Sequence, residues 1–552
     1  MASRSPVKAK CRLMAEAAIA VALILSAAWR SRGFCDTKDM RIALILPRRR
    51  LGAWHERLTE SLSKTHAVTV FIDDRAPAYP LALRAWLKVE RLFYRERPAT
   101  SADFKMERFP RSHALDENEF DVVVDLAEST QLRPKSISIR YNGSPDSMAL
   151  VARLLGRQTP HLSVCQQGGR DALAESMPAI DDKWRLTRGL QLSFARCIAI
   201  VERALHLSGG NRTTAVFTFD PTASRSLPAF VGEFIATKAL NLVLDKFSPA
   251  DQWSVAVRNR PGPFVPLADD GQRYYADPFL YAWSERTFIF VEEYRRETKK
   301  GVISAAEVVG GRLASAPITV LERPYHLSYP FVFADGGAVY MLPETVNSNA
   351  VELYRAVEFP WRWELASVLI EGAALADATP IFHDARWWLF AAMAEHGTTD
   401  HDELFIFYSD RLTGPWRPHS GNPVKSDCRS ARPAGRVVRS GGRLFRPAQD
   451  CENAYGSGIV WHEIVELSPS HFREVEVARL DAPRGLGIAG LHNFDQIGQL
   501  QVVDIRRARA IGARRPVTGA AMRRLGEECN CALRAVMTDA TMVTSQPARL
   551  GG

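Results

Sequence analysis

Acidic residues recur at matching places in a repeated β-strand pattern in the second half of the chain. Asp277 lies in YADPFL, Asp377 lies in ADATPIF, and Glu344 follows a strand in MLPE. Paired carboxyl groups suit sugar chemistry, because one can protonate a leaving oxygen while another activates water or attacks the anomeric carbon. Asp277, Glu344 and Asp377 are therefore the candidate catalytic residues. The alternative is that each Asp only bonds backbone N–H groups at a turn or strand start.

Further polar residues interrupt otherwise apolar strands of the same repeats. Each by itself is more often a satisfied structural group, but together they can supply the hydrogen bonds and planar faces that a sugar requires. No cofactor is expected, and no metal either, because the acidic cluster lacks the spaced Asp/Asn loop of a Ca²⁺ site. The candidate ligand-binding residues are Glu292, His326, Tyr329, Arg432, Arg446, Gln449, Asp450, Tyr455 and His492.

A fivefold repeat is expected to position these residues. Five segments each contain two apolar strands joined by a turn, and their equivalent positions are Asp277, Tyr329, Asp377, Arg432 and His492, spaced by 52, 48, 55 and 60 residues. Each interval suits one four-stranded propeller blade with a loop. The pattern predicts a five-bladed β-propeller over residues 251–510, in which the five positions converge at one end of the channel. A β-sandwich with long loops is the alternative architecture.

The segment before the propeller alternates strands with helices. Apolar runs such as RIALIL, AVTVFI, DVVVDL and SISIRY are separated by helical stretches, which indicates parallel strands with crossover helices. Residues 40–208 are therefore predicted to form a Rossmann-like α/β domain, and residues 209–250 a linker with a packing helix near 228–244. The overall fold class is α/β plus all-β. This first domain has no Walker loop, dinucleotide fingerprint or nucleophile elbow.

The two ends of the chain are treated separately. Residues 15–29 are apolar and follow a basic stretch, which resembles a secretory signal or short anchor. In contrast, Met40 directly precedes the first predicted strand, in MRIALILP, which would suit translation that starts at Met40. Residues 1–39 are therefore either a signal or anchor, or a mis-called start. The protein is cytoplasmic in the second case and exported or membrane-anchored in the first. Residues 511–552 are expected to be a disordered tail.

Composition and net charge limit the classes of partner that are expected. The chain of 552 residues is 46% hydrophobic and 24% charged, with a net charge of +9, which is typical of a globular protein with more than one domain. Arg clusters at domain edges are interpreted as a solvated rim, with weak contact to a membrane surface as the alternative. No nucleic-acid partner is expected, and the oligomeric state is left open. The eight scattered cysteines favour a reducing compartment.

Several ordered motifs carry a family resemblance. They are ADPFL…FVEE, HLSYPFVF…VYMLPET, LYRAVEFPWRW, ADATPIF…WWLF, GPWRPHSGNPV, ARPAGRV…LFRPAQDC, YGSGI and HNFD. Together they resemble the N-terminal domain of plant glucosamine inositolphosphorylceramide transferases and its bacterial stand-alone relatives. The preceding residues 40–208 are weakly similar to a formyltransferase-type Rossmann domain, although the Asn and His of such a site are not evident around residues 141–146.

The resemblance has implications for the site. That N-terminal domain is similar to the five-bladed propellers of arabinanase- and xylosidase-type glycosidases, in which an Asp base, an Asp modulator and a Glu acid come from successive blades. Asp277 matches the first, whereas the order Glu344 then Asp377 departs from that pattern and leaves their roles open. The plant enzymes carry glycosyl transfer in a separate domain, and no such domain is expected in this chain.

Three functions are compatible with these observations. The propeller is either a glycan-processing, glycosidase-like enzyme or a carbohydrate-binding module without catalysis, and its expected partner is a glycan or glycoconjugate. The third function is formyl or acyl transfer by the first domain. Whether the chain is an enzyme, and on which sugar and linkage it would act, stays open.

Overall fold

The computed structural model describes residues 40–95, 115–128, 133, 136–166, 172–206, 225–247, 252–268, 270–483, 486–507 and 517–536. The predicted signal or anchor at residues 1–39 lies outside the described residues. Among the helices that are described, none is long and apolar enough to span a bilayer.

The N-terminal part is an α/β domain with a six-stranded sheet in the order β2-β1-β3-β4-β5-β6. Its first four strands run parallel, and β1 is buried from Ile42 to Pro47, as a central strand of a parallel sheet should be. Its strands are β1 (Arg41–Pro47), β2 (Ala67–Asp73), β3 (Val122–Asp125), β4 (Ser136–Tyr141), β5 (Leu162–Gln166) and β6 (Ala172–Ser176). Its helices are α1 (Ala53–Leu62), α2 (Leu81–Phe93), α3 (Met148–Leu155), α4 (Leu186–His206) and α5 (Leu227–Phe247).

The last two strands differ from the all-parallel expectation, because β5 and β6 are antiparallel to their neighbours. The amide of Asn142 donates to the carbonyl of His161 at 2.7 Å, and the amide of His161 donates to Asn142 Oδ1 at 2.9 Å. These bonds hold the start of β5 beside the end of β4, so β5 must run back along it. The connection from β5 to β6 is short, which also permits only an antiparallel pair.

The C-terminal part is the five-bladed β-propeller that the repeat predicts. Each repeat segment forms the inner strands of one antiparallel sheet, and the blades follow each other in chain order. The first two blades contain β9 (Arg273–Trp283), β10 (Arg286–Arg295), β11 (Lys300–Val309), β12 (Arg312–Leu313), β13 (Ile318–Leu321), β14 (Ser328–Asp335), β15 (Ala338–Glu344), β16 (Ala350–Glu358) and β17 (Arg362–Glu371).

The other three blades complete the ring. Blades three and four contain β18 (Leu375–His383), β19 (Arg386–Met393), β20 (Glu403–Ser409), β21 (Arg417–Pro418), β22 (Lys425–Ser426), β23 (Val438–Ser440), β24 (Arg443–Asp450), β25 (Gly458–Leu467) and β26 (Phe472–Asp481). Blade five combines β27 (Ile488–Gly490), β28 (Phe494–Ile497) and β29 (Leu500–Arg507) with β7 (Gln252–Asn259) and β8 (Val265–Pro266). Because β7 pairs with β29 over eight residues, the first strand of the propeller closes the ring on the last.

Apolar side chains fill the spaces between neighbouring blades. Phe290, Met341 and Trp363 belong to the cluster between blades one and two, and Trp388 and Phe390 to the cluster between blades three and four. A single hairpin cannot bury both of its faces, so radial packing of repeats supplies the core.

The C-terminal segment corrects the expectation of a disordered tail. Residues Gly519–Val536 form helix α6. Its buried residues Met522, Leu525, Cys529 and Leu533 recur at helical spacing and pack against blades four and five. The high Ala and Arg content concealed this apolar stripe.

Candidate functional site

A shared backbone irregularity opens the inner strands of the first three blades. Asp277, Tyr329 and Asp377 have positive φ angles of 48°, 46° and 52°. At each of them the pairing with the next strand shifts register, which is the signature of a β-bulge. The bulge recurs because each repeat folds in the same way, and it aims equivalent side chains at the axis.

The first group at the axis is a histidine held between two carboxylates. His492 Nε2 lies 2.8 Å from Asp277 Oδ1, and His492 Nδ1 lies 2.7 Å from Asp504 Oδ2. Asp277 Oδ2 also accepts from the amide of Tyr329 at 3.2 Å. All three side chains are buried. Although burial opposes the charged imidazole, the carboxylates of Asp504 and Asp277 raise the pKa of His492 to about 10.

The second group is centred on Arg432, whose buried guanidinium faces three carboxylates. Arg432 Nε lies 2.6 Å from Asp377 Oδ2, Nη1 lies 2.9 Å from Asp400 Oδ2, and Nη2 lies 3.4 Å from Glu344 Oε2. Gln449 Nε2 donates to the same Asp377 oxygen at 2.9 Å. Asp377 is thereby locked in place, whereas 13% of the Glu344 side chain remains accessible.

The surroundings of these groups shift the pKa values of their carboxyl groups in different directions. Burial opposes ionisation of Asp277, but the charge of His492 holds the pKa of Asp277 below its usual value. Burial raises the pKa of Glu344 above its usual value in spite of Arg432. Burial likewise raises the pKa of Asp377. Carboxyl groups at this end of the channel therefore have pKa values that are shifted in opposite directions.

Glu292 and His326 form the side of the site in blade one. His326 Nε2 lies 3.3 Å from Glu292 Oε1, and His326 Nδ1 accepts from the amide of Gly301 at 2.9 Å. Burial and the negative charge of Asp277 raise the pKa of Glu292, and burial lowers the pKa of His326. Both shifts favour the uncharged forms of this pair, which lies at the margin of the charged groups.

Aromatic rings line the opposite side. Trp253 lies with its ring centre 3.9 Å from that of His492, and Tyr455 lies 5.2 Å from His492 and 5.0 Å from His401. Gly456 permits this approach, because its φ is +59° and a Cβ there would stand 2.6 Å from the Cβ of His492. Trp253 and Tyr455 are half-buried, so each offers part of a planar face.

The loop between β19 and β20 connects this site to the α/β domain. Asp400 and His401 contact Arg432, with His401 Nδ1 at 3.3 Å from Arg432 Nη1. Two residues further on, Asp402 Oδ2 accepts from Arg196 Nε of α4 at 2.9 Å, and Arg196 Nη2 donates to the carbonyl of Thr399 at 3.2 Å. A buried arginine of one domain therefore holds the loop that supplies two site residues of the other.

Tyr329 is placed inside the channel, below the mouth. Its hydroxyl lies 2.8 Å from Thr379 Oγ1 and accepts from the amide of Gly435 at 2.9 Å. The side chain is fully buried. It therefore links blades two, three and four and has no polar atom left for a ligand.

Arg446 and Asp450 are engaged within blade four. Arg446 Nε donates to Glu474 Oε2 at 2.8 Å, and its Nη2 donates to the carbonyl of Ser430 at 2.7 Å. Asp450 pairs with Arg479 and accepts from the amide of Glu452 at 2.9 Å. These contacts brace the segment that carries Arg432, and they occupy the atoms that the sequence assigned to a ligand.

Four side chains at the mouth were not anticipated from the sequence: Trp253, Asp400, His401 and Asp504. Asp504 had a signal, since a lone carboxylate in the apolar strand run QVVDI requires a partner when buried. Trp253 had none, because only ring closure by β7 brings it beside His492.

Asp277, His492 and Asp504 are also close enough to share a metal ion. Both ring nitrogens of His492 nevertheless face a carboxylate at hydrogen-bond distance, and a metal ligand must offer a free lone pair. In this structure the imidazole of His492 lies between the carboxylates of Asp277 and Asp504.

The α/β domain gives no support to the Asn and His of a formyltransferase site. Asn142 uses both ends of its amide structurally, accepting from the amide of His161 and donating to the carbonyl of Ala149 at 3.1 Å. Formyl or acyl transfer by this domain stays a prediction.

Plant proteins are similar to part of the propeller. Glucosamine inositolphosphorylceramide transferase 1 of Oryza sativa subsp. japonica is 38% identical over 208 residues, which are 37% of this chain and 28% of the rice protein. The Arabidopsis thaliana protein of the same name is 37% identical over 210 residues, or 37% of this chain and 27% of that protein. The chain thus spans little more than a quarter of the length of these relatives.

Solved structures of glycoside hydrolases align with this chain at low sequence identity and low TM-score. The catalytic domain of a Coprinopsis cinerea GH62 α-L-arabinofuranosidase aligns with a TM-score of 0.35 and 12% identity, covering 47% of this chain and 97% of that chain. A family 117 glycoside hydrolase from Zobellia galactanivorans aligns with a TM-score of 0.32 and 11% identity, covering 47% and 90%. No argument about activity rests on these alignments.

A family model covers most of the propeller. The model described as "Glucosamine inositolphosphorylceramide transferase 1, N-terminal" matches residues 263–485, from the end of the closing strand to blade four. The matched residues include Asp277, Glu344, Asp377 and Arg432. Over these residues the propeller is similar to the N-terminal domain of glucosamine inositolphosphorylceramide transferase 1.

Proposed function

We propose that the propeller is a carbohydrate-active domain that binds a glycan or glycoconjugate at the mouth of its channel and cleaves a glycosidic bond there. The observation that carries the proposal is the opposite shift of two carboxyl pKa values at one site, with Asp277 lowered and Glu344 raised. Pairs of carboxyl groups whose surroundings separate their pKa values are the usual basis for assigning an acid and a base.

In this mechanism Glu344 is the proton donor to the leaving oxygen. It is the more accessible of the two, and burial raises its pKa, which favours the protonated form. Asp277 is the ionised partner that activates water or attacks the anomeric carbon. Asp377 has a positioning role, because its Oδ2 accepts from Arg432 Nε and Gln449 Nε2 and so holds Arg432 beside Glu344.

The remaining side chains at the mouth suit a sugar. Trp253 and Tyr455 offer planar faces against which the C–H side of a pyranose ring packs, while His401, Asp400 and His326 offer hydrogen-bonding atoms at the margin. The names of the plant relatives accord with a carbohydrate ligand.

The test begins with the purified full chain on a glycan array, followed by hydrolysis assays on each glycan that binds. Glu344→Gln and Asp277→Asn should each lower turnover by about 100-fold or more, because a positioned acid or base acts in the transition state. Glu364→Gln is the matched control, since Glu364 is exposed on the outer strand of the blade that carries Glu344. Unchanged turnover in Glu344→Gln would exclude Glu344 as the acid.

A carbohydrate-binding module without catalysis is the second candidate. It is favoured by the extent to which Asp277 and Asp377 are already bonded to His492, Tyr329, Arg432 and Gln449. In that case glycans bind with no hydrolysis, and Glu344→Gln changes affinity by about 1–3 kcal/mol, the scale of one hydrogen bond to a charged group.

A further inference from the structure

Helix α2 of the α/β domain exposes an apolar stripe. Leu81, Val89, Leu92 and Phe93 have exposed fractions of 79%, 53%, 78% and 63%. Together with the exposed Ala85 they recur at helical spacing, so they lie along one side of the helix. Scattered single apolar residues on a surface are ordinary, whereas a continuous stripe of this size marks an interaction site.

Basic residues run beside the stripe. Arg84, Lys88, Arg91 and Arg95 follow each other at intervals of four, three and four residues, which places them in a second row along the same helix. Arg84, Lys88 and Arg95 are exposed and Arg91 is half-buried. The outer surface of α2 therefore combines an apolar stripe with positive charge.

The acidic residue of α2 faces inward. Glu90 is buried, and its carboxylate accepts from the amides of Leu186 at 3.0 Å and Thr187 at 2.5 Å, at the start of α4. Because this side chain caps another helix, it does not offset the basic row. It also fixes the rotation of α2, so that the stripe must point away from the domain.

Helix α5 extends the apolar surface. Phe234 of α5 packs against Trp86 and Phe93 of α2, with ring centres 5.5 Å and 6.0 Å apart. The next residue, Ile235, is 60% exposed, and Leu240, five residues further on, is 50% exposed. The exposed apolar residues of α2 and α5 on either side of this aromatic contact are hereafter called the α2–α5 surface.

We propose that the α2–α5 surface docks on an anionic lipid bilayer, with α2 lying in the plane of the interface. Charge complementarity decides between occupants. A second copy would bring the same basic row against itself, whereas an anionic bilayer accepts both the apolar stripe and the basic row. Docking of this kind would hold the propeller close to a membrane, and it does not depend on the function proposed for the channel mouth.

The test is co-sedimentation of the full chain with vesicles of phosphatidylcholine alone and of phosphatidylcholine mixed with phosphatidylserine. Binding to the mixed vesicles should exceed binding to the neutral ones and weaken at high salt. Arg84→Glu with Lys88→Glu, and separately Leu92→Ser with Phe93→Ser, should each lower binding to mixed vesicles by about tenfold or more. Lys299→Glu with Val309→Ser, exposed on blade one, is the matched control.

A local readout separates this surface from residues 15–29. Hydrogen exchange followed by mass spectrometry should show protection of residues 81–93 on mixed vesicles. Vesicle binding without that protection would overturn the proposal, as would protection that depends on protein concentration with no vesicles present, because a second copy would then be the occupant.

Discussion

At the residue scale, His492 is unusual because carboxylates face both of its ring nitrogens. Asp277 comes from blade one and Asp504 from blade five, so the imidazole is an electrostatic link between these two blades. Its positive charge is also what keeps Asp277 ionised among Glu292, Glu344 and the other acidic groups of the mouth. The histidine thus has a structural and an electrostatic role.

This charge predicts a pH dependence of stability. The pKa of His492 is raised from 6.5 to about 10 in the folded protein, so its contribution is fully present below about pH 6.5 and is lost as pH rises through about 10. His492→Gln should therefore be destabilised most near pH 6.5, at the lower end of this range. The difference in free energy of unfolding from the wild type, measured in urea between pH 6.5 and 10, should shrink as pH rises. A constant difference would show that the imidazole is neutral.

At the element scale, the loop between β19 and β20 unites the two domains and the site. Arg196 of α4 holds Asp402 and Glu403, and Ala179 donates its amide to Asp402 Oδ2 at 3.0 Å. The same loop delivers Asp400 to Arg432. The α/β domain therefore acts on the channel mouth through packing, whatever chemistry of its own it has.

Replacement of Arg196 should test whether its contacts with the loop between β19 and β20 stabilise the protein. Arg196→Met leaves Asp402 and Glu403 buried without a cation and should lower the free energy of unfolding by about 3–5 kcal/mol. Arg188→Met is the matched control on the same helix, since its pair with Asp181 is partly exposed and should contribute at most about 1 kcal/mol. Chemical denaturation of both variants measures the difference, and equal losses would contradict a special role for Arg196.

At the scale of the whole molecule, one strand pairing and one helix stabilise the closed ring of the propeller. The pairing of β7 with β29 joins the first and last strands, and α6 then packs over blades four and five. Arg258 of β7 links the strand pairing to α6, because its Nε donates to Gln501 Oε1 at 2.6 Å and its Nη2 donates to Asn530 Oδ1 of α6 at 2.9 Å.

This arrangement predicts that α6 is part of the folding unit. Leu525 is fully buried, so Leu525→Ala should lower the free energy of unfolding by about 2–5 kcal/mol through the lost contacts and the cavity. Arg524→Ala on the exposed side of α6 should change it by less than about 0.5 kcal/mol. Urea unfolding followed by fluorescence measures both. An unchanged stability in Leu525→Ala would mean that α6 does not support the ring.

Patterns among neighbouring residues were sufficient to predict much of the architecture. Alternation of strands and helices predicted the α/β domain, and the spacing of Asp277, Tyr329 and Asp377 predicted the blades, because each repeat must bury the same faces and therefore keeps the same register. The structure confirms the five-bladed propeller and the mixed class. Periodicity is a property of neighbouring residues, so it can be seen without knowing what packs against it.

Contacts between distant segments required the tertiary structure. The reversal of β5, the packing of α6, and the arrival of Trp253, Asp400 and Asp504 at the mouth all depend on pairings far apart in the sequence. The same holds for the opposite pKa shifts of Asp277 and Glu344, because burial and the charges of His492 and Arg432 set them, and these partners come from other blades. The sequence specifies which residues are acidic, but the groups that surround each carboxyl come together only when the ring of blades has closed.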